Sequence, residues 1–203
     1  MTEKTVQRRT PALGAQTLLQ QHYCSADLKS AITKFAKQQA RASTHHIILA
    51  THRPMTMHEA RYLLKKWDKL INGQILGGRW NRKPHLHCEW VAFPEHVHSD
   101  PHWHLLWRMS RDLEEATVRK ILNGKFIDGP KYGGRIKGQP VHGLDWIVHR
   151  HWQRVISSGT SKVVRIFEPE KLGYYVTKGQ RDAVAFDNMV MSGEFKTCLP
   201  KAA

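Results

Sequence analysis

The 203-residue sequence predicts an α+β domain, a small antiparallel sheet backed by helices. Three observations carry that expectation. Two β-rich runs, 86–93 and 103–109, are separated only by the short polar connection 94–101, the spacing of an antiparallel hairpin. Segments of helical period surround them, in the order α-β-α-β-β-α-loop-α-β-α. The length suits one domain with a substantial core, with residues 1–43 as an N-terminal arm and helical extension and 44–203 as the domain proper.

The elements follow in chain order. Residues 1–12 are polar, charged and broken by proline, the composition of an arm. Leu28, Ile32, Phe35 and Ala36 recur at helical spacing within 15–42, while Lys29, Lys34, Lys37 and Arg41 occupy the other side as a solvated face or a patch for DNA. The β-rich run His45-His46-Ile47-Ile48-Leu49-Ala50-Thr51 ends before Arg53-Pro54 and reads as a buried strand. Thr56 with Glu59 forms a capping-box pattern, and Ala60, Leu63, Leu64, Trp67, Leu70 and Ile71 then repeat at helical spacing until Asn72-Gly73. Asp112 with Glu115 marks the start of a helix carrying Leu113, Ala116, Ile121 and Leu122 and ending at Asn123-Gly124. Residues 124–143 combine glycines with Lys125, Lys131, Arg135 and Lys137, a flexible basic loop suited to phosphate. A helix over 145–156, a strand over 162–167 and a last helix over 169–178, with Glu170 in its first turn, complete the chain.

Formal net charge is +15, so a polyanion is the expected partner, nucleic acid before membrane, because no apolar run approaches a membrane span. The first residues lack the apolar stretch of a secretory signal, and a cytoplasmic protein is expected. Cys24, Cys88 and Cys198 are odd in number and scattered without any Cys-x-x-Cys, which supports neither a disulfide framework nor a zinc knuckle.

Histidine is abundant, and four His-x-His pairs occur where chance alone gives about one. Residues two apart on a strand share a face, so such a pair can supply two imidazoles to one ion. His149 and His151 fall in a helix, where two positions are roughly 200° apart and cannot converge. His85 and His87 stand before polar Cys88-Glu89, whereas His102 and His104 run into Leu105-Leu106-Trp107, so the latter pair is preferred over His85/His87; His96 and His98 make the fourth pair. A hard divalent ion such as magnesium or manganese also takes a carboxylate. Glu89 and Glu95 share one strand face; Glu95, nearer the turn, is preferred, with Glu89 still open. On the last helix Tyr175 and Lys178 share a face, while Tyr174 is turned by about 100°.

Taken together, His46-Ile-Ile-Leu-Ala-Thr51, Pro101-His-Trp-His-Leu-Leu106 and Tyr175-Val-Thr-Lys178, in that order, resemble the three motifs of HUH endonucleases of the rolling-circle replication initiator type, over residues 45–178. The resemblance implies a ferredoxin-like palm, with His102 and His104 as ligands of a divalent metal, Mg2+ or Mn2+; Glu95 as the acidic ligand rests on strand parity alone. It further implies that Tyr175 attacks single-stranded or hairpin origin DNA, leaving a 5′-phosphotyrosine link and a free 3′-hydroxyl. Lys178 would hold phosphate or metal geometry and offset negative charge on the tyrosine oxygen. The replicon would be a plasmid or phage. The acidic ligand is displaced from its usual place in the family, and the Tyr174-Tyr175 doublet leaves the nucleophile open by one position. No Gly-x-x-x-x-Gly-Lys-Ser/Thr occurs, so a host helicase would have to unwind the DNA. Two other readings remain: a single-tyrosine transposase of the same superfamily, for which a dimer would speak where a monomer favours the initiator, and a non-catalytic basic nucleic-acid-binding protein.

Overall fold

The computed structural model describes residues 13–96, 99–122, 135–136, 139–140, 143–178 and 188–196. The expected arm over 1–12 and most of the basic loop over 124–143 lie outside the described residues. The chain runs α1 (Leu13–Ala42), β1 (His45–Ala50), α2 (Met57–Leu76), β2 (Glu89–Glu95), β3 (His102–Arg108), α3 (Glu115–Leu122), the short ribbon β4 (Arg135–Ile136) and β5 (Gln139–Pro140), α4 (Gly143–Val155), β6 (Thr160–Arg165), α5 (Pro169–Thr177) and β7 (Val190–Met191).

The main sheet is wholly antiparallel in the order β6-β1-β3-β2-β7. Its β1-α2-β2-β3-α4-β6 portion is the split βαβ arrangement of a ferredoxin-like palm, extended at one edge by β7. Side-chain parity divides the core between the two faces. Ile47, Leu49, Trp90, Ala92, Trp103, Leu105 and Trp107 point to one side and pack with Leu64, Trp67 and Ile71 of α2, Ile121 of α3 and Ile147 and Trp152 of α4. Val91, Phe93 and Leu106 point to the other side and meet Ile32, Ala36 and Ala40 of α1 and Val176 of α5. Because both faces are covered, β2 and β3 are apolar almost throughout instead of alternating with polar residues.

The capping box at α2 forms as the sequence predicts, with the Glu59 N–H donating to Thr56 Oγ1 at 3.2 Å and the Thr56 N–H donating to Glu59 Oε2 at 2.9 Å. The expected stop at Asn72-Gly73 does not occur. Asn72 is buried inside the helix, its Nδ2 donating to Asp68 O and Oδ1 at 3.0 and 3.1 Å while its Oδ1 accepts from the Cys88 N–H at 2.8 Å. The helix therefore continues until Gly77, at φ 79, where the chain can turn without a Cβ penalty. Asp68 also accepts from Trp90 Nε1 at 2.8 Å, which ties α2 to β2. Two further boundaries differ. Residues 84–86 form a 3-10 turn, so β2 starts only at Glu89, and α3 starts at Glu115, with Asp112 three residues ahead in a turn held by Ser110. The edge strand β7 was not expected; Ser192 Oγ, just beyond it, accepts from the Trp90 N–H at 3.1 Å.

Helix α1 is part of the fold's second layer. It lies against α5 so closely that a Cβ on Gly173 would stand 2.7 Å from the Lys37 backbone. Arg41 donates to Glu170 Oε1 across the same seam at 2.6 Å. The backbone of α1 cannot yield as a side-chain tip would, so Gly173→Ala is expected to force the two helices apart. A loss of about 1–3 kcal/mol is predicted by urea denaturation; wild-type stability would show that the seam tolerates a methyl group.

Candidate functional site

Strand register places the polar residues of the second face. Glu95 lies opposite His102 at the turn end of the β2–β3 ladder, and His104 lies opposite Phe93. On β1, His46 is opposite Leu106, two positions further along the same face. Thus β1, β2 and β3 present His46, His104, Glu95 and His102 on the face that α1 and α5 cover only in part, and α5 brings Tyr175 over them.

His104 is buried, and both of its ring nitrogens are engaged. Nε2 lies 2.8 Å from Glu95 Oε2, and Nδ1 lies 3.1 Å from His46 Nε2. Burial lowers the His104 pKa and outweighs the opposing pull of Glu95. Partial burial works against the Glu95 carboxylate, but the hydrogen bond from His104, together with the nearby Lys178 charge, more than offsets it, and Glu95 stays below the usual glutamate value. For His46, burial first, then His104 and Lys162, brings the pKa down to about 4. These directions assign an ionised carboxylate beside two neutral imidazoles. Glu95 then accepts from His104 Nε2–H, and His104 Nδ1 accepts from His46 Nε2–H.

The Tyr175 ring stands edge-on to both imidazoles, with centroids 5.5 Å from His104 and 6.2 Å from His46. Lys178, the residue that ends α5, places Nζ 4.1 Å from the centroid of the Tyr175 ring. Tyr174 points elsewhere: it is 66% exposed against 41% for Tyr175 and makes no ring contact with these histidines.

His102 belongs to a neighbouring cluster. Its ring is 5.1 Å from that of His96 and 6.0 Å from that of His52, and its Nε2 is 3.9 Å from Asp100 Oδ2. His52, Asp100 and His102 form a group able to hold a metal ion, each offering a donor atom within 4.8 Å of the others. His52 of this group, at φ 53, and His96 beside it, at φ 57, have backbones in the left-handed region. The three metal ligands expected from the sequence are therefore distributed: Glu95 and His104 touch each other, and His102 sits with His52 and Asp100.

The remaining candidates lie apart. Glu89 pairs with Arg108 at the far end of the hairpin, with Arg108 Nε donating at 2.8 Å. His87 is buried, its Nε2 2.9 Å from the Trp80 carbonyl, and His85 sits in the 3-10 turn. His149 Nδ1 lies 3.2 Å from Ser161 Oγ, while His151 faces the core with neither ring nitrogen partnered among the described residues. The sequence places His46 in the first motif but gives it no contact at the site, and it does not single out His52 or Asp100. His46 could have been placed by carrying strand parity from His104 onto β1, but only after the register was known; His52 and Asp100 lie beyond the strand ends, where parity gives no guide.

Fold and site together define an α+β protein with a histidine–carboxylate–tyrosine cluster on one face of an antiparallel sheet. Compared with protein-family models, with curated proteins and with solved structures, the chain gives no match.

The buried histidines also set the pH range of the fold. His45, His46 and His151 are each brought to about 4, chiefly by burial, with Arg165 adding for His45 and Arg150 and Arg154 for His151. A histidine whose folded pKa lies below its unfolded value stabilises the fold fully above about 6.5 and loses that contribution as pH falls toward 4. Asp68 acts in the opposite sense: burial raises it to about 6 against its hydrogen bonds from Trp90 and Asn72, so it costs stability as pH rises from about 4 to about 6. Three groups outweigh one, and the urea midpoint is expected to fall between pH 6.5 and 4. His151→Leu should raise stability at pH 5 by about 1 kcal/mol or more and flatten this slope, because it removes an unpartnered buried polar group; an unchanged slope would remove His151 from the account.

Proposed function

We propose that this chain is a single-stranded DNA nickase and strand transferase of the HUH endonuclease type, initiating rolling-circle replication of a plasmid or phage. The observation that carries the reading is the position of Tyr175, edge-on to His104 and His46 with Lys178 over its ring, on a chain of formal net charge +15. The motif order described above supports it.

In this reading the Tyr175 oxygen attacks a backbone phosphorus. The tyrosine hydroxyl gives up its proton to solvent, the oxygen–phosphorus bond forms, the bond to the 3′ oxygen breaks, and that oxygen takes up a proton from solvent to become a 3′-hydroxyl. The 5′-phosphotyrosine keeps the energy of the broken ester, so the reverse attack by a 3′-hydroxyl rejoins the strand. Lys178, one helical turn on, offsets charge on the phosphate and on the tyrosine oxygen. His46 fixes the His104 ring through Nδ1, and Glu95 fixes it through Nε2, so the imidazole facing Tyr175 is held from both sides. The sequence expects His102, His104 and Glu95 as metal ligands; of these His102 stands with two further donors, His52 and Asp100, while His104 and Glu95 are hydrogen-bonded to each other. A bound divalent ion would polarise the scissile phosphate. Lysine and arginine supply most of the affinity for the DNA backbone.

The test is a denaturing gel for a covalent protein–oligonucleotide adduct, formed with pooled single-stranded hairpin DNA and Mn2+. Wild type and Tyr174→Phe are expected to give the adduct, and Tyr175→Phe is expected to give none. His102→Ala and His104→Ala should lower its yield by about a hundred-fold or more while DNA affinity changes by less than about ten-fold. Adduct retained in Tyr175→Phe would end the tyrosine mechanism; tight binding with no adduct from wild type would leave only a nucleic-acid-binding protein.

A further inference from the structure

We propose that His52, Asp100 and His102 are the metal-binding triad of this chain and take a first-row divalent transition metal ion in preference to Mg2+. This deepens the reading above by naming the ion's seat; it rests on that reading for what the ion does in cleavage, and on geometry alone for where it binds.

The placement follows from the ladder. β1 and β3 run antiparallel with Ala50 opposite His102. Beyond that pair β1 has ended and β3 has not begun, so His52 and Asp100 are the two residues that an extended ladder would set face to face. The His52 backbone turns instead into the left-handed region, at φ 53, a conformation that a side-chain-bearing residue adopts only when its surroundings impose it. His52 Nε2 lies 2.6 Å from Thr160 Oγ1 on the neighbouring strand β6. With Nε2–H donating to that hydroxyl, Nδ1 is the nitrogen left for an ion, the arrangement by which a metal-binding histidine is commonly oriented.

The alternative seat, between His104 and Glu95, is already satisfied. Each nitrogen of His104 has a partner, and its ring is buried. The three donors around His102 are not closed on one another: His102 Nε2 and Asp100 Oδ2 stand 3.9 Å apart, beyond hydrogen-bond reach. Ligands at about 2.1 Å around a four-coordinate ion lie about 3.4 Å apart, so donors within 4.8 Å of one another need only side-chain rotation to converge. His52 is exposed and the other two are half-buried, which leaves coordination positions open to water or to a phosphate oxygen. Two imidazoles and one carboxylate suit Mn2+, Co2+ or Zn2+; Mg2+ prefers oxygen donors and gives up its waters reluctantly.

The experiment is a titration of the full chain with Mn2+ at pH 7.5, in which the free ion is measured by its electron paramagnetic resonance signal. Wild type, His52→Ala, Asp100→Ala and Glu95→Gln are compared, each first matched to wild type by near-ultraviolet circular dichroism. Any variant that fails this match is replaced by His52→Gln or Asp100→Asn. Wild type is expected to bind one Mn2+, and a ten-fold excess of Mg2+ should not displace it. His52→Ala and Asp100→Ala should each weaken binding at least ten-fold, while Glu95→Gln should change it less than about three-fold. Loss of Mn2+ in Glu95→Gln with retention in His52→Ala would overturn the proposal, as would a wild type that binds no Mn2+ or releases it to Mg2+. The adduct assay is run beside it. Adduct formation with His52→Ala binding Mn2+ normally would sink the triad and leave the nickase standing; Mn2+ binding lost in His52→Ala with no adduct from wild type would do the reverse.

Discussion

The register between β3 and its two neighbours is the constraint on which everything else in this protein depends. Glu95 opposite His102, and His46 opposite Leu106, put four polar side chains on one face and the tryptophans of the same strands on the other. A slip of one residue would turn Trp103 and Trp107 toward the site and drive His102 and His104 into the core under α2 and α4. Burial of three tryptophans from β2 and β3 on the core face makes such a slip prohibitive, so the apolar core fixes the polar site.

The second layer depends on a close approach. Without a side chain at Gly173, α5 can lie against the backbone of α1 and carry Tyr175 over the sheet. Thr177 reinforces the seam: its Oγ1 lies 3.2 Å from Thr33 Oγ1 and also donates back to the Gly173 carbonyl at 3.1 Å. The helix that bears the tyrosine is thus positioned by small residues packed on a helix far away in sequence, and the residues on its exposed side remain free to meet a ligand.

Electrostatics separates the roles of the histidines. His46 and His151, both buried, are held neutral well below physiological pH, one within a hydrogen-bonded series and one without any partner among the described residues. His52, at the surface and beside Asp100, has instead the company of a carboxylate and open solvent. A chain rich in histidine uses the same side chain as a core residue, a hydrogen-bond link and a metal-binding group, according to how much water and which neighbours each position keeps.

Sequence alone determined the succession of the longer elements, though not β4, β5 or β7, because helical and strand periods are local properties: the Thr56–Glu59 capping box, the apolar run of β3 and the last helix beginning at Pro169 were all legible in it. Parity also brought Glu95, His102 and His104 to one face, and helical phase turned Tyr174 and Tyr175 to different sides without choosing the nucleophile. Only the tertiary structure decided what those residues touch. Whether Asn72 ends a helix depended on Cys88 sixteen residues away, and whether His102 joins Glu95 or Asp100 depended on side-chain rotation at a strand end. The contacts of His46, and any part for His52 and Asp100, were silent in the sequence because their partners lie across the sheet or beyond its ladder, where neither period nor spacing specifies a neighbour.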